Sequence, residues 1–280
     1  MKKLIINADD LGISKEVNSS IEDCIKKGVV SSSTLMANAP AFDDGVRIAK
    51  QYSRVSVGVH LNIIQFAPLT NSDLFKRHGI VGDDGSFVEG AIFCVPIDEE
   101  LKEAIFEEWD AQITKIEATG LIPTHCDSHQ HTHTIDALQD VLCRVMDKHG
   151  IRKVRRKLIP SIILMIRSRR RPAVRFDKSK AMMPIKHNVV YRRLRLFWVI
   201  YSCYNWNRRM KQRYLLTDSF FAFNSFYYDR KYLKLGGKKA IVELMCHPGL
   251  VEFREETEYL LMSDSWQTKK DVIVSYNDLV

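Results

Sequence analysis

The sequence predicts an α/β fold built around a parallel β-sheet. Three observations carry that expectation. Short apolar runs alternate with helix-periodic stretches along the chain, which is the pattern of strand–helix–strand units. Titratable residues recur just after the apolar runs, and in parallel sheets active sites collect at the edge formed by the strand C-termini. A hydrophobic share of 45% over 280 residues supplies a large core and excludes global disorder.

Residues 2–7 are an apolar run closed by Asp9 and Asp10 and read as a buried strand. Residues 14–27 read as a helix. Val17, Ile21, Cys24 and Ile25 share one face, and Gly28 stands where a left-handed residue ends a helix. A second strand is expected over 29–38, a second helix over 40–52 and a third, alternating strand over 55–61. The clearest helix spans 97–119. Asp98 can cap it, Leu101, Ile105, Trp109, Ile113 and Ile116 form its stripe, and Gly120 ends it. Residues 121–128 look strand-like, 135–149 helical up to Gly150, and 240–246 form a last apolar strand before His247. No repeat, low-complexity tract or long linker divides the chain, so residues 1–280 are expected to form a single domain.

Composition narrows the function. No run approaches the ~20 apolar residues of a membrane-spanning helix. The N-terminal run meets two aspartates after three apolar residues, which an export signal does not do, so a cytoplasmic location is expected. The six cysteines form no C-x-x-C pair and read as free thiols rather than a disulfide framework or zinc ribbon. The net charge of +8 is uneven. Residues 151–215 hold 20 Lys and Arg against one acid, Asp177, or +19; the other 22 basic and 33 acidic residues give −11.

From 125 to 133 the sequence reads His-Cys-Asp-Ser-His-Gln-His-Thr-His, with titratable groups at His125, Asp127, His129, His131 and His133. If extended, these five share one face. Burying them together requires compensation, and a divalent metal supplies it through imidazole and carboxylate ligands. Asp9-Asp10, His60 and His247 each have an ordinary explanation alone, as a turn or cap, a core histidine and a packed residue before Pro248. As a set at strand ends they offer a metal site with open positions, a base and an acid, the inventory of metal-assisted hydrolysis.

Four segments carry a resemblance: Asn-Ala-Asp-Asp-Leu-Gly at 7–12, Gly-Val-His-Leu-Asn at 58–62, Pro-Thr-His-Cys-Asp-Ser-His-Gln-His-Thr-His at 123–133 and Met-Cys-His-Pro-Gly at 245–249. In that order they resemble the YdjC-like, or ChbG-like, carbohydrate deacetylases, over about residues 1–150 and 240–280. The resemblance implies a distorted TIM-like (β/α) barrel, a divalent metal ion and hydrolysis of the acetamide of an N-acetylated amino sugar, chitobiose-type sugars being the best-known substrates. By motif position Asp10, His60 and His129 would be the metal ligands, Asp9 the general base and His247 the general acid. His125 and Asp127 would orient those groups, while His131 and His133 would stand at the rim or meet the substrate. Two histidines and an aspartate suit Mg or Zn, and also Mn or Co.

The sequence departs from the family over residues 151–228, a basic insertion rich in arginine with apolar clusters at 159–166 and 196–204. A solvated cover over the barrel is one reading. The sharper one is a surface for anionic partners: arginines with Trp198, Tyr201, Tyr204 and Trp206 suit the inner face of an anionic membrane or a lipid-linked substrate. No nucleic-acid motif accompanies the charge, so no nucleic-acid partner is expected. The competing functions are another metallohydrolase, such as a phosphoesterase, and a non-catalytic basic binding protein on the same scaffold. The sugar, its linkage and the oligomeric state are not readable.

Overall fold

The computed structural model of the protein describes residues 2–70, 72–157, 189–224, 240–262 and 271–280. Among these residues the sheet has seven strands: β1 (Lys2–Leu11), β2 (Ser32–Leu35), β3 (Ser56–Leu61), β4 (Cys126–Ser128), β5 (Ser219–Ala222), β6 (Ile241–Cys246) and β7 (Asp271–Val274). The hydrogen-bonded order is β4-β3-β2-β1-β6-β5, and every pairing is parallel. β1 is central. β6 runs along one edge of it from Lys3 to Ala8; the other edge meets β7 over Lys2 to Ile5 and then β2 from Asn7 onward.

The sheet curls, and short bridges link its two ends. Cys126 N donates to the Lys153 carbonyl at 2.9 Å and Arg155 N to the Cys126 carbonyl at 3.0 Å. Val154 N then donates to Leu215 O at 3.1 Å, and Leu215 N returns a bond to Arg152 O at 2.8 Å. From Leu215 the chain runs into β5, which pairs with β6. This is an α/β fold with a curled parallel sheet, consistent with a TIM-like barrel.

The described helices are α1 (Lys15–Lys26), α2 (Phe42–Gln51), α3 (Ser72–Arg77), α4 (Glu99–Glu117), α5 (Gln139–Lys148), α6 (Val189–Lys211) and α7 (Arg254–Leu261). Local chemistry fixes several ends. Ser14 Oγ accepts from Val17 N at 3.2 Å, Asp98 Oδ1 accepts from Leu101 N at 2.9 Å, and Gly28 takes a φ of +75° after α1. The predicted stripe of α4 lies wholly in the core with Leu4, Ile6, Val59 and Leu244.

Four expectations need correction. β4 holds only three residues of the predicted 121–128: Thr124 N and His125 O still bond to Val57 and Val59 of β3, but residues 121–125 are not part of the strand. The extended run over 125–133 ends at Ser128: His129–Thr134 is a 3₁₀ turn in which Gln130 and His131 take left-handed φ values of 49° and 58°. Ser128 Oγ holds the turn by accepting from His133 N at 2.8 Å. The five titratable groups therefore do not share one face. The basic segment, third, does not begin as an insertion, since Ile151 and Val154 are core residues beside β4. Fourth, β5, β7, α3, α6 and α7 were not anticipated. Residues 158–188, with the cluster at 159–166 and five of the fourteen arginines of the basic segment, lie outside the described residues.

Candidate active site

The C-terminal ends of β1, β3, β4 and β6 bring Asp9, Asp10, His60, Asp127, His129 and His247 to one place. In a regular strand Asp9 and Asp10 would point to opposite faces. The register with β2 shifts between Ala8 and Leu11, and Asp10 takes a φ of +66°. That irregularity lets both carboxylates reach the site, at the cost of a left-handed backbone at a non-glycine residue.

Asp10 Oδ1 is shared by two imidazoles, with His129 Nδ1 at 2.8 Å and His60 Nε2 at 3.2 Å. The other ring nitrogen of His60 lies 2.6 Å from Asp127 Oδ1. A histidine between two carboxylates must donate from both nitrogens. Burial opposes its charge, but Asp127 and Asp10 override burial and push its pKa up to about 10. Burial likewise opposes the Asp10 charge, yet the two histidines hold its carboxyl well below the usual range.

Arg155 is the residue that the sequence reading missed. Its side chain is 0% exposed and is surrounded by three carboxylates. Nη1 and Nη2 each donate to Asp9 at 2.6 Å, Nη1 also reaches Asp127 Oδ2 at 2.7 Å, and Nε donates to Glu243 Oε1 at 2.7 Å. The fork geometry suits this bidentate grip on Asp9. Burial pushes the Asp9 pKa up, but Arg155 outweighs it and the carboxyl sits well below its ordinary value. Asn7 Nδ2 adds a bond to Asp9 Oδ1 at 2.8 Å.

His125 and Asp127 hydrogen-bond to other residues of the site, and among the described residues neither bonds to His247. Asp127 fixes His60. His125 is fully buried, stacked on Tyr276 at 3.6 Å, with Nε2 3.2 Å from Asn7 Oδ1. Since that oxygen only accepts, Nε2 carries the proton, and His125 fixes the amide that holds Asp9. Burial, then Arg155, keeps its pKa well below the usual histidine value. A Cβ on Gly58 would stand 2.6 Å from this ring, so only glycine fits there. Tyr276 donates to Glu243 Oε2 at 2.6 Å and so continues the network behind Arg155.

His247 follows β6, half-buried and stacked on Phe253 at 4.3 Å. Its Nδ1 is 3.7 Å from Glu256 Oε1 and has no hydrogen-bond partner among the described residues. Burial opposes its charge; Glu256, Asp9 and Asp10 overcome burial and raise its pKa. His131 is half-buried, its Nδ1 without a hydrogen-bond partner among the described residues and its ring edge-on to Phe220 at 5.7 Å. His133 is fully buried rather than at the rim. Its Nε2 faces the Arg155 carbonyl at 3.3 Å and must donate, so Nδ1 accepts from Ser128 Oγ at 2.6 Å.

The residues fit a divalent cation. Asp10, His60 and His129 offer one oxygen and two nitrogens within 4.8 Å of one another. Ligand bonds of ~2.0–2.1 Å place neighbouring donor atoms about 3.0 Å apart in octahedral and about 3.4 Å apart in tetrahedral geometry. The distances of 2.8 and 3.2 Å from Asp10 Oδ1 lie close to those values. Charge agrees: once His60 and His129 turn neutral nitrogens to an ion, the buried Asp9, Asp10, Asp127 and Glu243 face Arg155 as their guanidinium, an excess of negative charge that a divalent ion would reduce.

A family model described as YdjC-like protein matches residues 3–272. The chain belongs to the YdjC-like family. The match runs through the basic segment as well as the four motifs. Curated relatives include a carbohydrate deacetylase of Halalkalibacterium halodurans, 34% identical over 150 residues that make up 53% of this chain and 62% of that protein. One from Vibrio cholerae is 35% identical over 150 residues, 53% of this chain and 57% of that one. The chain thus matches about three fifths of the length of these relatives. Among solved structures, a protein of Enterococcus faecalis named for cellobiose-phosphate cleavage superposes with a TM-score of 0.68 at 21% identity, covering 99% of this chain and 98% of that one. That likeness confirms the fold.

Glu243 carried a signal in the sequence, as a lone acid inside the apolar run Ile241-Val242-Glu243-Leu244-Met245. Arg155 carried less, standing among twenty basic residues.

Proposed function

We propose that this YdjC-like protein is a metal-dependent hydrolase that removes the acetyl group from an N-acetylated amino sugar. The observation that carries the reading is the shared carboxylate: Asp10 Oδ1 within 3.2 Å of both His60 and His129, beside a second, Arg-held aspartate and a half-buried histidine. The relatives named carbohydrate deacetylase support the substrate class.

Asp10, His60 and His129 would hold the ion, with Mg or Zn first and Mn or Co next. When bound, such an ion supplies a polarised carbonyl and an acidified water. The chain's own residues do the rest. Asp127 accepts a hydrogen bond from His60 Nδ1–H and so keeps the proton on Nδ1; on binding an ion Nε2 would give up its own proton and turn its lone pair to the site. Asp9 is ionised throughout the neutral range and accepts the proton of the attacking water. Arg155 and Asn7 fix its orientation, and His125 and Ser32 in turn hold Asn7. His247 keeps a proton because of Glu256 and the two aspartates, and gives it to the departing sugar nitrogen.

A phosphoesterase is disfavoured by Arg155. The buried arginine at the centre of the site commits four of its five N–H donors to three carboxylates, which leaves it one for a phosphate. The test is release of acetate, with matching appearance of free amine, from N-acetylglucosamine and its oligomers in the presence of Mg, Zn, Mn or Co. Phosphate release from sugar phosphates without acetate release would replace this reading.

A further inference from the structure

The described part of α6 has two unlike faces. Cys203, Trp206, Asn207 and Met210 are buried, with Met210 Sδ 3.8 Å from Cys143 Sγ on α5. On the other face Phe197, Trp198, Ile200, Tyr201 and Tyr204 are 61%, 63%, 40%, 48% and 63% exposed. Phe197, Tyr201, Tyr204 and Arg208 follow one another at helical spacings of four, three and four, so they form one stripe. The rings lie against each other rather than against the protein core: Phe197 stacks on Tyr201 at 6.3 Å, and Trp198 meets Tyr201 edge-on at 5.8 Å. Trp206, grouped with these aromatics in the sequence reading, is only 1% exposed and belongs to the core.

A solvent-facing cluster of five large apolar side chains is costly unless something covers it. The charge around it narrows the choice. The stripe lies within residues 151–215, which carry +19 while the rest of the chain carries −11. Its lower end leads to exposed Arg208 and Lys211. A second copy seated face to face would bring two such segments together against their mutual repulsion. An anionic bilayer meets both features: aromatic rings settle at headgroup depth, and arginines and lysines pair with the lipid charges.

We propose that the exposed aromatic face of α6 docks the protein peripherally on an anionic membrane surface, with no crossing of the bilayer. Among the described residues no helix is long and apolar enough to cross one. The proposal stands independently of the deacetylase reading, since it uses none of the residues of that site.

The test is co-sedimentation of the full chain with phosphatidylcholine vesicles, and with vesicles in which about 30% of the lipid is phosphatidylglycerol, at ~0.1 and ~1 M salt. The expected result is binding to the anionic vesicles only, weakened at high salt. Removing both charges by Arg208→Ala with Lys211→Ala should weaken binding by about 25-fold, or about fivefold per charge. Replacing Phe197, Trp198 and Tyr201 together by Ser should weaken it by about tenfold or more. These side chains lie on the surface, so the thermal midpoint of each variant should match the parent and exclude misfolding. Four results would overturn the proposal: equal binding to neutral and anionic vesicles, no binding to either, unimpaired binding of the Ser variant, or retention on RNA or self-association that the Ser variant abolishes while vesicles are ignored.

Discussion

Replacing Arg155 by Met should destabilise the protein strongly at pH 7 and much less at pH 5. The variant keeps the length and apolar stem of the side chain but leaves Asp9, Asp127 and Glu243 buried without their common cation. Removing one partner of a buried ion pair costs about 3–5 kcal/mol. The cost can be limited by protonation: bringing a carboxyl of pKa ~3.9 to its neutral form at pH 7 costs about 4 kcal/mol, in the same range. An unfolding entropy of ~2.1 cal/mol/K per residue gives about 0.6 kcal/mol/K for a chain of this length, so the midpoint should fall by about 5–9 °C.

The pH dependence follows from the sign of each shift. In the parent protein the folded Asp9 pKa is depressed by Arg155, so its contribution is present above the unfolded value near 3.9 and is lost only in strong acid. In Arg155→Met the same carboxyl is buried without a cation, its folded pKa is raised, and stability is gained as pH falls. Between pH 7 and 5 the gap should close by about 2.7 kcal/mol, or about 5 °C, for each carboxyl forced to take a proton. Thermal unfolding of both proteins at pH 5, 6 and 7 is the assay, with Arg155→Lys expected to fall between them. A midpoint equal to the parent's at pH 7, or a gap that does not narrow toward pH 5, would refute the account of Arg155 as the neutralising centre.

Three further outcomes are expected. His60→Ala or His129→Ala should each abolish stoichiometric divalent-metal binding by elemental analysis; metal retained in both would remove these residues from the ligand set. Asp9→Asn should keep the metal while turnover falls by about 10²–10⁴-fold, the usual loss for a missing general base, and parent-like kinetics would move that role elsewhere. Glu256→Gln removes the strongest influence raising the His247 pKa. The high-pH limb of kcat/KM should therefore shift to lower pH, and an unchanged limb would mean that His247 is not the proton donor.

The titratable residues at the strand ends were legible because their chemistry is local. A strand that stops at Asp9-Asp10, or a His60 between Val59 and Leu61, announces polar groups where the apolar pattern breaks, and the four motifs placed them in a family. Helix ends were legible for the same reason: Ser14, Asp98 and Gly28 act on bonds within one turn of their own position. Periodicity over 125–133 misled because alternation is compatible with a strand but does not impose one. Ser128 and two left-handed residues turn the chain instead.

What the sequence determined by itself, then, was the alternation of strands and helices and the edge where the polar groups collect; Asp10, His60 and His129 became candidate ligands through the family resemblance. The fate of each charge was decided only by tertiary structure. Arg155 and Arg208 are the same residue in the same basic segment, yet one is 0% exposed among three carboxylates and the other faces solvent. The reason is physical. A guanidinium can be buried only where opposite charges are already gathered, and Asp9, Asp127 and Glu243 are gathered by strands more than a hundred residues apart in the chain. Composition records that the charges exist; the closing of the sheet through residues 152–155 brings Arg155 into the core.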